Sequence, residues 1–118
     1  MLDAQSFRAA RLVVDSGLHA MSWTREQAIE FMHERGSLPP VDAAIEVDRY
    51  TIWPGQALSY KLGQREIERA RTAVSASMGS RFDLRAYHDE VLGHGSLPLE
   101  TLRREIPAWV EAAAAAAA

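Results

Sequence analysis

Apolar residues recur at steps of three and four wherever a segment is long enough to show a period, and nowhere do they alternate in twos, which predicts helices and no sheet. From Leu2 to about Gly17, Phe7, Ala10, Val14 and Leu18 form one stripe, while Arg8, Arg11, Asp15 and His19 form a charged one. Gly17 is expected to cap this helix. Thr24 and Gln27 fit a capping box, and Trp23 can staple onto Ala28. The helix that starts there runs through Ile29, Phe31 and Met32 and stops near Gly36, with His33 and Arg35 in its last turn. After Ser37-Leu38-Pro39-Pro40, a third helix is expected over Val41 to Ile52, with Val41, Ala44, Ile45 and Asp48 on one side. A fourth, from Gly55 to about Met78, repeats Tyr60, Gly63, Ile67, Ala70 and Val74 as a long packing seam. Asp83 caps a fifth helix with Phe82 stapled to Tyr87, and Gly93-His94-Gly95 closes it. Leu97-Pro98 opens a last helix through Leu99, Leu102 and Ile106, which Pro107 is expected to kink or break. The predicted fold is all-α: about six helices with short Pro- and Gly-punctuated loops around one long central helix.

The 118 residues suit one core, so residues 1–111 are expected to form a single helical domain. Residues 112–118 are all alanine, either a solvated helix end or positions whose side chains were never identified. Gly36-Ser37-Leu38-Pro39 and Gly95-Ser96-Leu97-Pro98 look alike, but their flanks do not continue the match, which makes them similar stop-and-start signals rather than a repeat. An apolar content of 47% beside 25% charged residues is that of an ordinary soluble globular chain. A net charge of −3 without a basic cluster gives no footprint for nucleic acid, and no apolar run approaches the roughly 20 residues of a membrane span. Cysteine is absent, which excludes disulfides and thiolate sites. No signal peptide is visible after Met1, and the expected location of a soluble chain stays open between cytoplasmic and exported.

Candidate chemistry gathers at Arg49 to Gln64, R-Y-T-I-W-P-G-Q-A-L-S-Y-K-L-G-Q. Pro54 should end one helix near Ile52 and start the next at Gly55. Gln56, Tyr60 and Gln64 would then share a face that begins at a helix N-terminus, where free N–H groups favour an anionic partner. Such groups either donate to a substrate carbonyl or oxyanion, or include a Tyr packed on the seam with its hydroxyl held by a neighbour. Arg49 either binds a carboxylate in bidentate fashion or caps the third helix. Asp15, one turn before His19, either orients the imidazole or forms a surface salt bridge with it. No pair of histidines has metal-ligand spacing at His33-Glu34 or His88-Asp89-Glu90, and neither a phosphate loop nor a nucleophile elbow is present.

These residues fall within a resemblance that covers nearly the whole chain. R-A-A-R-L-V-V-D-S-G-L-H (Arg8 to His19), W-T-R-E-Q-A-I (Trp23 to Ile29), R-Y-x-x-W-P-G-Q-A-L-S-Y-K-L-G-Q (Arg49 to Gln64), F-D-L-R-A-Y-H-D (Phe82 to Asp89) and G-S-L-P-L (Gly95 to Leu99) resemble the C-terminal part of the bacterial domain-of-unknown-function 885 family, itself similar to gluzincin-type helical zinc peptidases. The resemblance implies a fragment of a longer protein whose zinc and general-base motif lies upstream, so this chain would carry no cofactor itself. It further implies catalytic roles for Tyr60 and His19, which would stabilise a tetrahedral intermediate on a peptide substrate. Arg49 and Gln56 would position substrate; by spacing, Gln64 joins them as a substrate-binding residue and Asp15 supports His19. The implied partners are the upstream part of the parent protein and, through apolar surface left exposed without it, a second copy in a homodimer. The other reading is a free-standing helical interaction module without activity.

Overall fold

A computed structural model describes residues 2–116 and shows six α-helices and two 3-10 turns, with no strand among the described residues. The helices are α1 (Leu2–Ala20), α2 (Arg25–Gly36), α3 (Pro40–Ile52), α4 (Ser59–Met78), α5 (Leu84–Gly93) and α6 (Leu99–Ala116). The all-α expectation therefore holds. The chain divides into two compact units, one up to Leu62 and one from Gly63 on, with the division inside α4.

In the first unit α1, α2 and α3 close on a core of Ala10, Val14, Ala28, Met32, Ala43, Val47, Tyr50 and Ala57, with Phe7, Leu18, Trp23 and Phe31 packed around it. Local chemistry starts α2: Thr24 Oγ1 accepts from the Gln27 amide at 3.2 Å and Gln27 Oε1 accepts from the Thr24 amide at 2.9 Å. Gly17 does not cap α1. The helix runs on to Ala20, and Gly17 is buried because the Trp23 ring lies where a side chain would stand. The Gly17 carbonyl accepts from Met21 and Trp23 N–H at 3.2 and 2.9 Å, so the chain folds back there.

Helix α3 turns another side inward than expected. Ala43, Val47 and Tyr50 are buried, while Val41 and Ile45 are 71% and 62% exposed. Both sets have helical spacing, and the inward one buries the Tyr50 ring while its hydroxyl keeps a partner in Glu46. An Arg25–Asp48 ion pair at 2.6 Å joins α2 to α3.

The fourth helix starts later than Gly55. Gly55 adopts φ +83°, a left-handed conformation that cannot open an α-helix, and Gln56–Leu58 form a 3-10 turn before α4 begins at Ser59. That turn buries Ala57 in the first core. The long seam expected on α4 is confined to its second half: Val74 is buried and Ala70 packs beside it, but Tyr60 and Ile67 are exposed.

The second unit packs Val74, Tyr87, Leu102 and Ile106, with Phe82, Trp109 and Val110 against them. Asp83 caps α5 by accepting from the Arg85 amide at 2.8 Å. The hydroxyl of the fully buried Tyr87 donates to the Ile67 carbonyl at 2.7 Å. Pro107 does not break α6, which is continuous from Leu99 to Ala116. Pro107 sits on the exposed side, where water can take over the carbonyl that its missing N–H leaves free. Ala112 to Ala116 prolong α6, and residues 117 and 118 lie outside the described residues.

Candidate functional site

The corner between α3 and α4 is built from α1. Trp53 ends α3 with its N–H on the Arg49 carbonyl at 3.2 Å, and Pro54 and Gly55 reverse the chain. The Gly55 N–H meets the Asp15 carboxylate, 3.1 Å from Oδ1 and 3.0 Å from Oδ2, and Asp15 is only 2% exposed. The anion that the free N–H groups of this corner favour is thus supplied by the chain itself. His19 does not pair with Asp15. Its Nε2 donates to the Tyr50 carbonyl at 3.0 Å, which places the proton on Nε2 and leaves Nδ1 as the free ring nitrogen of an exposed side chain. Asp15 and His19 brace the end of α3 from two sides, one through Gly55 and one through Tyr50.

Gln56, in the 3-10 turn, faces inward. Its Oε1 accepts from Arg11 Nη2 at 3.0 Å and from Arg49 Nη1 at 3.2 Å. Arg49 Nη2 also meets Glu46 Oε2 at 2.6 Å, an oxygen that further accepts from the Tyr50 hydroxyl at 2.5 Å. Arg11 was legible only as one member of the charged stripe on α1, yet it is the buried centre of this cluster. Its guanidinium carbon lies 4.6 Å from the centroid of the Tyr60 ring, and 5.5 Å from those of Phe7 and Tyr50. Tyr60 is 48% exposed, and its hydroxyl has no hydrogen-bond partner among the described residues. Gln64 belongs to the second unit, where its Nε2 donates to Glu68 Oε1 at 2.8 Å on the helix surface. The four-residue stripe of Gln56, Tyr60 and Gln64 is therefore not one polar face, because the 3-10 turn shifts Gln56 out of the α4 register.

Electrostatics follow the hydrogen bonds. Burial works to raise the Glu46 carboxyl, but the hydrogen bonds from Arg49 and Tyr50 and the charges of Arg49 and Arg11 outweigh it and hold the group below the ordinary glutamate range. Burial, and then the bond to Glu46, push the Tyr50 phenol far above its ordinary value. A carboxyl depressed in the folded state stabilises the fold above its unfolded value, near 4.5, and loses that contribution as pH falls through the folded one. Thermal stability is therefore expected to fall on acidification below about pH 4.5, with a shallower slope in Glu46→Gln. Melting temperatures between about pH 3 and 7 check this, and equal slopes for the two proteins would count against it.

Among the described residues no three His, Cys, Asp or Glu side chains gather to hold a metal ion. His33 Nδ1 bonds the Leu38 carbonyl at 2.7 Å, and His94 pairs with Glu90 at 2.8 Å in an exposed ion pair. No described helix is long and apolar enough to cross a membrane.

The family model described as "Bacterial protein of unknown function (DUF885)" matches residues 1–106. The crystal structure of the "putative lipoprotein" from Colwellia psychrerythraea superposes with a TM-score of 0.90 at 47% identity. The match covers 93% of this chain and 19% of that one, so this chain spans about a fifth of the relative's length. No curated protein matches.

Proposed function

The chain belongs to the bacterial family of unknown function DUF885, and from that premise together with the geometry of the corner we propose that it is the C-terminal helical part of a zinc-dependent peptidase-like protein. Its share of the work is to bind a peptide and to stabilise an oxyanion. Zinc would be held by residues outside this chain and would polarise the scissile carbonyl.

Tyr60 carries the reading. A half-exposed phenol whose hydroxyl has no partner among the described residues, its ring held over a buried guanidinium, suits a donor to a bound substrate. His19, fixed by the Tyr50 carbonyl, would offer Nδ1 as a second group when protonated. Arg49 and Gln56 would orient the peptide from the same corner. Asp15 would act by holding Gly55, and so the direction in which α4 leaves the corner.

An exposed apolar stripe on α3 supports membership of a larger assembly. Val41, Ile45, Ile52 and Trp53 are 71%, 62%, 74% and 59% exposed, a face suited to another part of a longer chain and, in its absence, to a second copy. A free-standing interaction module would use the same stripe. The name of the Colwellia relative supports an exported location.

The test is hydrolysis by the full-length protein of a defined peptide mixture, read by mass spectrometry. Cleavage that a chelator abolishes and zinc restores is the expected result, and a folded, zinc-loaded protein that cleaves no peptide overturns the reading in favour of the interaction module.

A further inference from the structure

We propose that the corner of the first unit is a carboxylate-binding site, in which Gln56 Oε1 holds the place of a ligand's carboxylate oxygen. Two guanidinium groups from different helices, Arg11 of α1 and Arg49 of α3, point at this one neutral oxygen from 3.0 and 3.2 Å. An oxygen bonded by two cations is a position that a carboxylate occupies more favourably than an amide, because the carboxylate adds ion-pair attraction and bidentate geometry to the bonds that the guanidinium donors already make.

The cluster is short of negative charge. Arg11 is 6% exposed, and its buried Nε has no hydrogen-bond partner. Buried arginines are ordinarily matched by a carboxylate; the charge of Arg11 acts on Glu46, but neither carboxylate nearby accepts a hydrogen bond from Arg11. Glu46 Oε2 is shared by Arg49 and Tyr50, and both Asp15 oxygens face the Gly55 N–H. A third guanidinium, that of Arg8, stands 5.9 Å from the centroid of the Tyr60 ring. The aromatic rings over Arg11 offset part of its burial but accept nothing from Nε.

Gln56 and Arg49 are half-buried and Tyr60 is exposed, so the cluster is not sealed from solvent. A carboxylate that reaches it displaces the Gln56 amide and takes the two guanidinium donors. Naming this ligand as the free carboxylate of a peptide rests on the peptidase reading; the shortage of an anion does not.

The experiment uses this chain and needs no turnover. N-acetylglycine and its amide are titrated by calorimetry into the wild-type protein and into Gln56→Glu, and both melting temperatures are measured. Gln56→Glu supplies the missing carboxylate internally, so its melting temperature should rise by roughly 5–10 °C. The acid should bind wild type at least about tenfold more tightly than the amide, and that preference should vanish in Gln56→Glu. A Gln56→Glu protein no more stable than wild type overturns the proposal, and so does equal binding of acid and amide by wild type. Cleavage by the full-length protein is read separately, so either conclusion can fail without the other.

Discussion

Gly17→Ala is expected to destabilise the protein by about 2 kcal/mol, although it replaces the poorest ordinary helix former with the best one in the interior of a helix. Propensity alone favours the change by about 1 kcal/mol. Against it stands a contact: a Cβ at Gly17 would lie 2.4 and 2.5 Å from Cδ2 and Cε3 of Trp23. Those atoms belong to a rigid ring already packed on Phe31, with centroids 5.5 Å apart, so the ring must leave its seat. Overpacking typically costs about 1–3 kcal/mol, and a half-displaced Trp forfeits part of the roughly 3–5 kcal/mol that a buried one contributes. The clash wins. Gly63→Ala, within α4 and with nothing within 4 Å of the added carbon, should instead stabilise by up to about 1 kcal/mol. Urea denaturation of both variants checks the pair of opposite signs. A Gly17→Ala protein as stable as Gly63→Ala would contradict the packing argument.

Gly17 also shows where the sequence stops being legible. A glycine near the end of a periodic segment reads as a cap, because a cap is made within a few residues, whereas its partner Trp23 sits across a chain reversal. Devices closed within one turn were readable: the Thr24 and Gln27 box, the Asp83 cap, and the break at Pro54. Others depended on packing that no local pattern encodes. Either side of α3 has helical spacing, and the one with Ala43, Val47 and Tyr50 went inward. The start of α4 was misplaced because Gly55 spends its left-handed conformation on directing an N–H to Asp15, forty positions earlier.

The candidate site was legible in its members more than in their roles. Arg49 bonds Gln56, and Tyr60 lies over the Arg11 that bonds the same Gln56 oxygen, whereas Asp15 and His19 bond the backbone of Gly55 and Tyr50, and Gln64 bonds Glu68. Arg11 was the residue missed. Its signal was present, an arginine next to the buried Ala10 and one turn before Asp15, but a charge on the border of an apolar stripe is ordinarily solvated.

The reading of Tyr60 as a donor predicts the largest functional effect. Removing one preorganised donor to a developing oxyanion costs about 3 kcal/mol, a roughly hundredfold fall in kcat. Tyr60→Phe takes away only the hydroxyl. The ring stays over the Arg11 guanidinium, and since the hydroxyl has no partner among the described residues, folding should hardly notice its loss. A Tyr that serves the fold would behave in the opposite way, lowering the melting temperature and sparing turnover. The decisive measurement is kcat per folded molecule of the full-length protein, wild type against Tyr60→Phe, with melting temperatures taken on the same samples. A roughly hundredfold lower kcat at an unchanged melting temperature is the expected result; unaltered turnover per folded enzyme would contradict the account and return Tyr60 to a purely structural role.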